Sequence, residues 1–196
     1  MKYVKKTPMM VGFDLDGVII DHTENKIHLA SERGFHLDPK ETASDTMRRK
    51  LPVDVYADIQ HHLYADIPVP KEPPLMNGAL SALAVLKGFG VPFVLISQRR
   101  NPEAAIMLLE RHHVTPQYFT PDKLFFVDEP EDKNTKAREA GVTHFVDDEI
   151  RVLSVLSDVS CRILFDPHGA YPFLKEYRRI GSFTDLISFF KSQFEI

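Results

Sequence analysis

Short apolar runs alternate with helical patterns along most of this chain. Runs rich in β-branched and aromatic residues predict five strands, at 9–13, 91–96, 123–127, 144–146 and 161–165. Between and after them lie predicted helices at 79–87, 104–112, 133–140, 149–156 and 186–191. Strict alternation of strands and helices favours parallel strands with crossover helices on both faces. The predicted fold class is therefore α/β, a doubly wound, Rossmann-like parallel sheet sandwiched by helices.

Local signals mark the ends of several of these helices. Asn101 is a typical N-cap, and Pro102 follows it at the first helical position. Ser182 and Asp185 have the spacing of a capping box before the last helix. These signals support the helical predictions independently of the apolar pattern.

One long segment does not follow the alternation. From 21 to 74 the chain offers only helical patterns, at 24–33, 38–50 and 52–65, and then four prolines within 67–74 that predict a stiff extended return. We therefore expect a small all-helical lid inserted after the first strand, at 21–74. The remaining segments, 1–20 and 75–196, form the predicted core.

Composition and charge exclude several classes of function. The 196 residues are 43% hydrophobic and carry a formal net charge of -4, so no broad basic field exists for a nucleic-acid polymer or an anionic membrane. Cys161 is the only cysteine, which excludes an internal disulfide and a cysteine-based zinc site. The basic start is followed by too short an apolar run for a signal peptide or a membrane span. We expect a cytoplasmic protein.

Polar residues follow three of the predicted strands where those strands end. Asp14 and Asp16 close the first strand, Ser97 closes the second, and Asp147 and Asp148 close the fourth. Ligands of such sheets bind outside the carboxyl ends of the strands, so these side chains are expected at one edge. Buried carboxylates need compensation, which predicts a metal ion beside the aspartates. Ser97 and the following backbone N–H groups predict a phosphate cradle.

These residues carry a resemblance to a known family. Asp14-Leu15-Asp16-Gly17-Val18, then Ser97, Lys133 and Asp147-Asp148 match in order the four motifs of the haloacid dehalogenase superfamily, so the chain resembles its phosphohydrolase branch. The resemblance implies that the insert is a helical cap of the first type, although a small one. The first and last motifs, under such a cap, are similar to those of the deoxyribonucleotidases.

The resemblance also implies roles for the matching residues. Asp14 would be the nucleophile that forms an aspartyl-phosphate, and Asp16 the general acid and then base. Mg²⁺ would be held by Asp14, by the backbone carbonyl of Asp16 and by Asp148, with Asp147 acting through water. Phosphoryl oxygens would be bound by Ser97 and Lys133, with Gln98 and Arg99 as further candidates.

Some assignments have competitors in the sequence. Lys123 and Lys136 compete with Lys133 as the third-motif lysine. Arg99 or Arg100 could contact substrate, order the loop, or form a surface ion pair. The run 48–50, Arg-Arg-Lys, could grip an anionic substrate or form a solvated face. The segment 166–171 has no role beyond a loop that borders the site.

The sequence thus predicts a Mg²⁺-dependent phosphatase that acts on a small phosphorylated metabolite. Two alternatives belong to other classes. A metal-independent dehalogenase of the same fold would also use Asp14, but it has no use for an acid at Asp16 or a metal ligand at Asp148. A non-catalytic phosphometabolite-binding protein would keep the phosphate site without turnover, and the intact set of candidate residues argues against it.

Overall fold

The computed structural model describes residues 9–64, 69 and 71–193, and its centre is a six-stranded sheet. The strands lie in the order β3-β2-β1-β4-β5-β6, and every neighbouring pair is parallel. Their bounds are β1 Val11–Phe13, β2 Phe93–Ser97, β3 Leu124–Phe126, β4 His144–Asp147, β5 Cys161–Phe165 and β6 Arg178–Ile180. The doubly wound α/β prediction is confirmed.

The sixth strand was absent from the sequence prediction. β6 is only three residues long, reads Arg-Arg-Ile and pairs with β5 at the edge of the sheet. Its two arginines are exposed, so it lacks the apolar run by which the other strands were recognised. An edge strand of this kind is defined by its partner more than by its own sequence.

Helices cover both faces of the sheet, because successive strand residues point to opposite sides. Phe13 and Leu95 belong to the apolar cluster on one face, whereas Val94 and Phe145 belong to the cluster on the other. Gly12 pairs with Phe145 in register, and a Cβ at Gly12 would meet that ring at 2.5 Å. The helices of this part are α4 Ala79–Gly88, α5 Pro102–Arg111, α6 Pro130–Glu139, α7 Ile150–Val155 and α8 Phe183–Gln193.

Three further helices lie between β1 and β2, as the pattern at 21–74 predicts. They are α1 Thr23–Glu32, α2 Ser44–Lys50 and α3 Val53–Tyr64, and we call Thr23–Tyr64 the helical insert. The insert has an apolar cluster of its own, which includes Leu29, Met47 and Ile59. The predicted helix at 38–50 is divided, with a 3-10 turn at Pro39–Glu41 before α2. The predicted extended return at 67–74 lies partly outside the described residues.

The predicted caps are confirmed. The side chain of Asn101 accepts the N–H of Ala104 at 3.1 Å, and the hydroxyl of Ser182 accepts the N–H of Asp185 at 3.1 Å. α6 begins earlier than predicted because Pro130 takes its first position, which puts Lys133 one turn inside the helix. Within the described part of the chain, no helix is long and apolar enough to cross a membrane.

Candidate active site

The carboxylates predicted at the ends of β1 and β4 lie together because these two strands are neighbours. Asp14 follows β1 directly, Asp147 ends β4 and Asp148 comes next. Oxygen atoms of these three aspartates lie within 4.8 Å of one another. Asp14 and Asp147 are buried, so an acidic cluster occupies the carboxyl edge of the sheet.

Lys133 is the cation inside this cluster. Its ammonium donates to Oδ1 of Asp14 at 2.7 Å and to Oδ2 of Asp147 at 2.9 Å, and only 2% of the residue is exposed. Of the competing lysines, Lys136 pairs with Glu139 on the surface, and Lys123 precedes β3 at the opposite edge of the sheet. Of these three lysines, Lys133 is the one that lies within the acidic cluster.

Gly17 allows the turn after Asp16 and makes room for Asp148. Its φ of 86° lies in the left-handed region, which favours glycine. A Cβ on Gly17 would overlap the carboxylate of Asp148. Two features therefore require a glycine at this position: its left-handed backbone conformation and the close approach of Asp148, a candidate metal ligand.

One lysine does not balance the three clustered acids. Burial, reinforced by the charges of Asp147 and Asp16, raises the pKa of Asp14 to about 7 although Lys133 opposes the rise. Burial and the charges of Glu149 and Asp147 raise the pKa of Asp148 well above its usual value. Clustered carboxylate oxygens that lack sufficient counter-charge are a donor set suited to a hard divalent cation.

Asp16 lies in different surroundings. Its Oδ1 contacts Nε2 of His22 at 2.7 Å and accepts a hydrogen bond from Nη1 of Arg99 at 3.0 Å. Tyr64 of α3 lies against both partners, with its ring centroid 5.4 Å from that of His22 and 5.5 Å from the Arg99 guanidinium carbon. Burial alone would raise the pKa of Asp16, but Arg99 and then His22 outweigh it and hold that pKa below its ordinary value.

The pKa of Asp14 is thus raised and that of Asp16 is lowered, which is the reverse of what the predicted roles of nucleophile and acid require. Asp16 needs a proton to act as an acid, and here its partners favour the ionised form. Asp14 needs to be ionised to attack, and here burial favours the protonated form. A cation on Asp14 and the loss of the Arg99 contact to Asp16 would each move the pKa toward the predicted role.

Ser97 and its neighbours line a cavity over the acidic floor. The cavity has a volume of about 630 Å³, and Asp14, Asp16, Lys133 and Asp147 also line it. Ser97 is buried at the end of β2. Gln98 lines the cavity too, but its amide nitrogen donates to the carbonyl of Asp128 at 2.7 Å. Arg99, a predicted phosphate contact, instead directs its guanidinium to Asp16.

The loop at 166–171 borders the site from the other side. Asp166 follows β5 and accepts the N–H groups of Ala170 and Tyr171 at 2.7 and 3.2 Å. The Tyr171 hydroxyl lies 3.1 Å from Oδ2 of Asp45 and 3.0 Å from the carbonyl oxygen of Asp148. This loop therefore joins α2 of the insert to the backbone of a candidate metal ligand.

Residues near the site that the sequence prediction did not name include His22, Lys26, Asp45 and Tyr64, whereas Tyr171 lies in the loop that was expected to border the site. Lys26 is buried on α1 and donates to the carbonyl of Thr42 at 3.0 Å. Its charge contributes to the pKa of both Asp16 and Asp148. A usable signal existed only for the loop, since Asp166 is a carboxylate that directly follows a predicted strand.

Comparisons with known proteins give structural similarity alone. No protein-family model matches the chain, and no curated protein sequence matches it. A haloacid dehalogenase superfamily hydrolase from Ehrlichia chaffeensis is 17% identical, with 95% of this chain and 98% of that chain covered and a TM-score of 0.65. A hydrolase of the same family from Deinococcus radiodurans, solved with phosphate and sodium, is 17% identical, with coverage of 95% and 96% and a TM-score of 0.65.

A third structure contains a phosphorylated sugar. It is CbbY from Rhodobacter sphaeroides in complex with xylulose-1,5-bisphosphate, with 17% identity, coverage of 91% of this chain and 96% of that chain, and a TM-score of 0.55. At these identities the similarity concerns the fold, and it extends over nearly the full length of both chains.

Proposed function

We propose that this chain, which has the fold of the haloacid dehalogenase superfamily, is a Mg²⁺-dependent phosphatase acting on a small phosphomonoester. One observation carries the proposal. Lys133, Asp14 and Asp147 form a buried hydrogen-bonded group at the carboxyl edge of the sheet, with Asp148 beside it and Ser97 lining the same cavity as Asp14. A buried nucleophile, a cation and spare metal-ligand oxygens in one place suit phosphoryl transfer.

The donor set fits a magnesium ion. Asp14 and Asp148 would supply carboxylate oxygens, Asp16 would supply its backbone carbonyl, and Asp147 would act through water. The raised pKa values of Asp14 and Asp148 are consistent with this, because each reflects negative charge that a cation would offset. When bound, Mg²⁺ would neutralise charge on the phosphoryl group and lower the cost of bringing it to the carboxylates.

The chain's own residues would divide the chemistry. Asp14 would attack phosphorus, forming an aspartyl-phosphate that water then hydrolyses. Lys133 and Ser97 would bind phosphoryl oxygens and stabilise their developing charge. Asp16 would protonate the leaving oxygen and afterwards accept a proton from the attacking water.

Similar structures support a phosphate-bearing ligand. The Deinococcus radiodurans hydrolase was solved with phosphate, and CbbY was solved with a sugar bisphosphate. For this chain we infer a small phosphorylated metabolite and neither a nucleic-acid polymer nor a membrane as partner, in agreement with the net charge of -4.

We further propose that 21–74 is a cap over this site. The helical insert packs on an apolar cluster of its own and reaches the site through Tyr64, Arg48 and Asp45. A unit that packs separately and borders a cavity can exclude water and select what enters.

Phosphate release from 4-nitrophenyl phosphate tests the function. We expect turnover with Mg²⁺, none with EDTA, and a loss of about a thousandfold or more in Asp14→Asn, because the nucleophile is removed. Asp122→Asn is the control, since Asp122 lies in the turn before β3 at the other edge of the sheet. Activity that survives EDTA or Asp14→Asn would overturn the proposal.

A further inference from the structure

The cavity above Ser97 is larger than a phosphoryl group needs. Its volume of about 630 Å³ is in the range of sites that enclose a whole small molecule. The floor is formed by Asp14, Ser97 and Lys133. The upper wall is formed by α2, α3, the loop after β2 and the start of α7, and its side chains indicate the chemistry of the rest of the ligand.

The wall contains four arginines, and two of them are already neutralised. Nη1 of Arg99 lies 3.0 Å from a carboxylate oxygen of Asp16, and Nη2 of Arg151 lies 3.1 Å from one of Glu149. The other two are Arg48 and Arg100, and neither forms an ion pair with a carboxylate of residues 9–64, 69 or 71–193. The cavity wall therefore contains two guanidinium groups without an ion-pair partner in the described part of the chain, separate from the acids of its floor.

Arg48 is held in place by an aromatic neighbour. Its guanidinium carbon lies 5.2 Å from the centroid of the Tyr56 ring, and Nη2 donates to the Tyr56 hydroxyl at 3.2 Å. Tyr56 and Tyr64 line the same wall, together with Val53, which is 82% exposed. Stacking on the tyrosine reduces the freedom of Arg48 while leaving donors for an anion.

Arg49, the next residue of α2, differs in this respect. Both arginines are exposed, but Nη2 of Arg49 donates to the hydroxyl of Thr46 at 3.4 Å, and Arg49 does not line the cavity. Of the two arginines in the run at 48–50, only Arg48 is therefore placed to meet a ligand that lies over Asp14.

We propose that the substrate carries a second anionic group, a carboxylate or a phosphate, which Arg48 and Arg100 bind while Asp14, Ser97 and Lys133 hold the phosphoryl group. This inference rests on the proposed function and specifies its substrate class as small metabolites that are anionic at both ends. A guanidinium binds either oxyanion through charge-assisted hydrogen bonds.

Affinity for non-hydrolysable ligands tests this directly. Three series of phosphonates with chains of two to six carbons are titrated calorimetrically into the protein with Mg²⁺: alkylphosphonates, ω-carboxyalkylphosphonates and alkylene bisphosphonates. At one chain length we expect an anionic terminus to tighten binding by about tenfold or more. The carboxylate and bisphosphonate series distinguish the two kinds of second anion.

Variants identify the groups responsible. In Arg48→Gln with Arg100→Gln, we expect the preference for a second anion to fall below about threefold, while alkylphosphonates bind as before. Arg49→Gln, the matched control, should keep the full preference. An equal affinity for neutral and anionic termini in the unchanged protein would overturn the inference, and so would a preference that survives the double variant.

Hydrolysis of the corresponding phosphate esters separates this inference from the proposed function. Turnover that depends on Asp14 but shows no preference for a second anion would leave the phosphatase assignment intact and refute the substrate class. A calorimetric preference that is lost in the double variant, without turnover of any ester, would establish the second anion site and refute hydrolysis.

Discussion

Asp14 and Asp16 are two residues apart, yet their side chains lie in two different regions of the molecule. Asp14 faces the core, where Lys133 of α6 and the end of β4 surround it. Asp16 faces the helical insert, where His22 at the base of α1 and Tyr64 of α3 close around its contact with Arg99. The first environment raises the pKa of its carboxyl group, and the second lowers it.

The difference shows that separate parts of the fold set the pKa values of two neighbouring aspartates in one site. The surroundings of Asp14 are strand ends and a core helix, which cannot move without disrupting the sheet. The surroundings of Asp16 include the insert, whose helices pack on a separate apolar cluster. The pKa of Asp16 is lowered by Arg99, in the loop after β2, and by His22, which precedes the insert, and Tyr64 of the insert lies against both residues. The pKa of Asp14 depends instead on burial and on the charges of the core.

Replacing Lys133 should produce the largest change on the core side. Lys133→Met removes the cation and leaves three neighbouring acids without it, so we expect a loss of about 3–5 kcal/mol in the free energy of unfolding at pH 7. Urea denaturation measures this loss. Lys136→Met, on the same helix but at a surface pair with Glu139, should cost less than about 1 kcal/mol. Equal stabilities of the two variants would show that Lys133 is not the compensating charge.

The pH dependence of stability should report the pKa of Asp14. The folded value is about 7, whereas an unfolded aspartate titrates near about 3.9. Between these values the folded state retains a proton that the unfolded chain has released, so stability falls as the pH rises through this window. In EDTA we expect the protein to be about 2–3 kcal/mol less stable at pH 8 than at pH 5.

Two comparisons sharpen this result. Mg²⁺ should recover much of the difference at pH 8, because a cation favours the ionised carboxylates. Asp14→Asn should make the profile less steep, since the amide does not titrate, while Asp148, whose pKa is also raised, keeps part of the slope. A profile in EDTA that rises between pH 5 and 8 would contradict the charge imbalance at the core side.

On the insert side, Arg99 is the residue to change. Arg99→Gln removes the largest influence that lowers the pKa of Asp16, so that pKa should rise. The alkaline limb of the kcat/KM profile, above which Asp16 lacks the proton that it donates, should then move to higher pH. We expect kcat to fall by about tenfold, because a contact that positions Asp16 is lost. Arg111→Gln, at an exposed pair with Glu72, serves as the control. An unshifted profile would show that Arg99 does not act through Asp16.

The sequence was sufficient for the core side of this comparison and insufficient for the insert side. Asp14, Ser97 and Asp147 were predictable because apolar strands end at them and parallel strands end at one edge. His22 and Tyr64 carry no such signal, because their contacts depend on how α1 and α3 dock over that edge. The edge strand β6 was missed for a related reason. Its two exposed arginines interrupt the apolar pattern, so the strand can be identified only from its pairing with β5.

The smallest effect is expected where the insert meets the loop after β5. Tyr171→Phe removes the hydroxyl that lies between Asp45 of α2 and the carbonyl of Asp148, so unfolding should become easier by about 1 kcal/mol. Because Asp45 also accepts the N–H of Ile150 at 3.1 Å, the insert keeps one contact to the core and should not detach. KM should therefore rise by no more than a few fold with kcat nearly unchanged. Tyr177→Phe, which also lies between β5 and β6 but outside these contacts, provides the comparison. A loss of kcat specific to Tyr171→Phe would contradict this expectation and would show that the contact to the Asp148 carbonyl affects the chemical step.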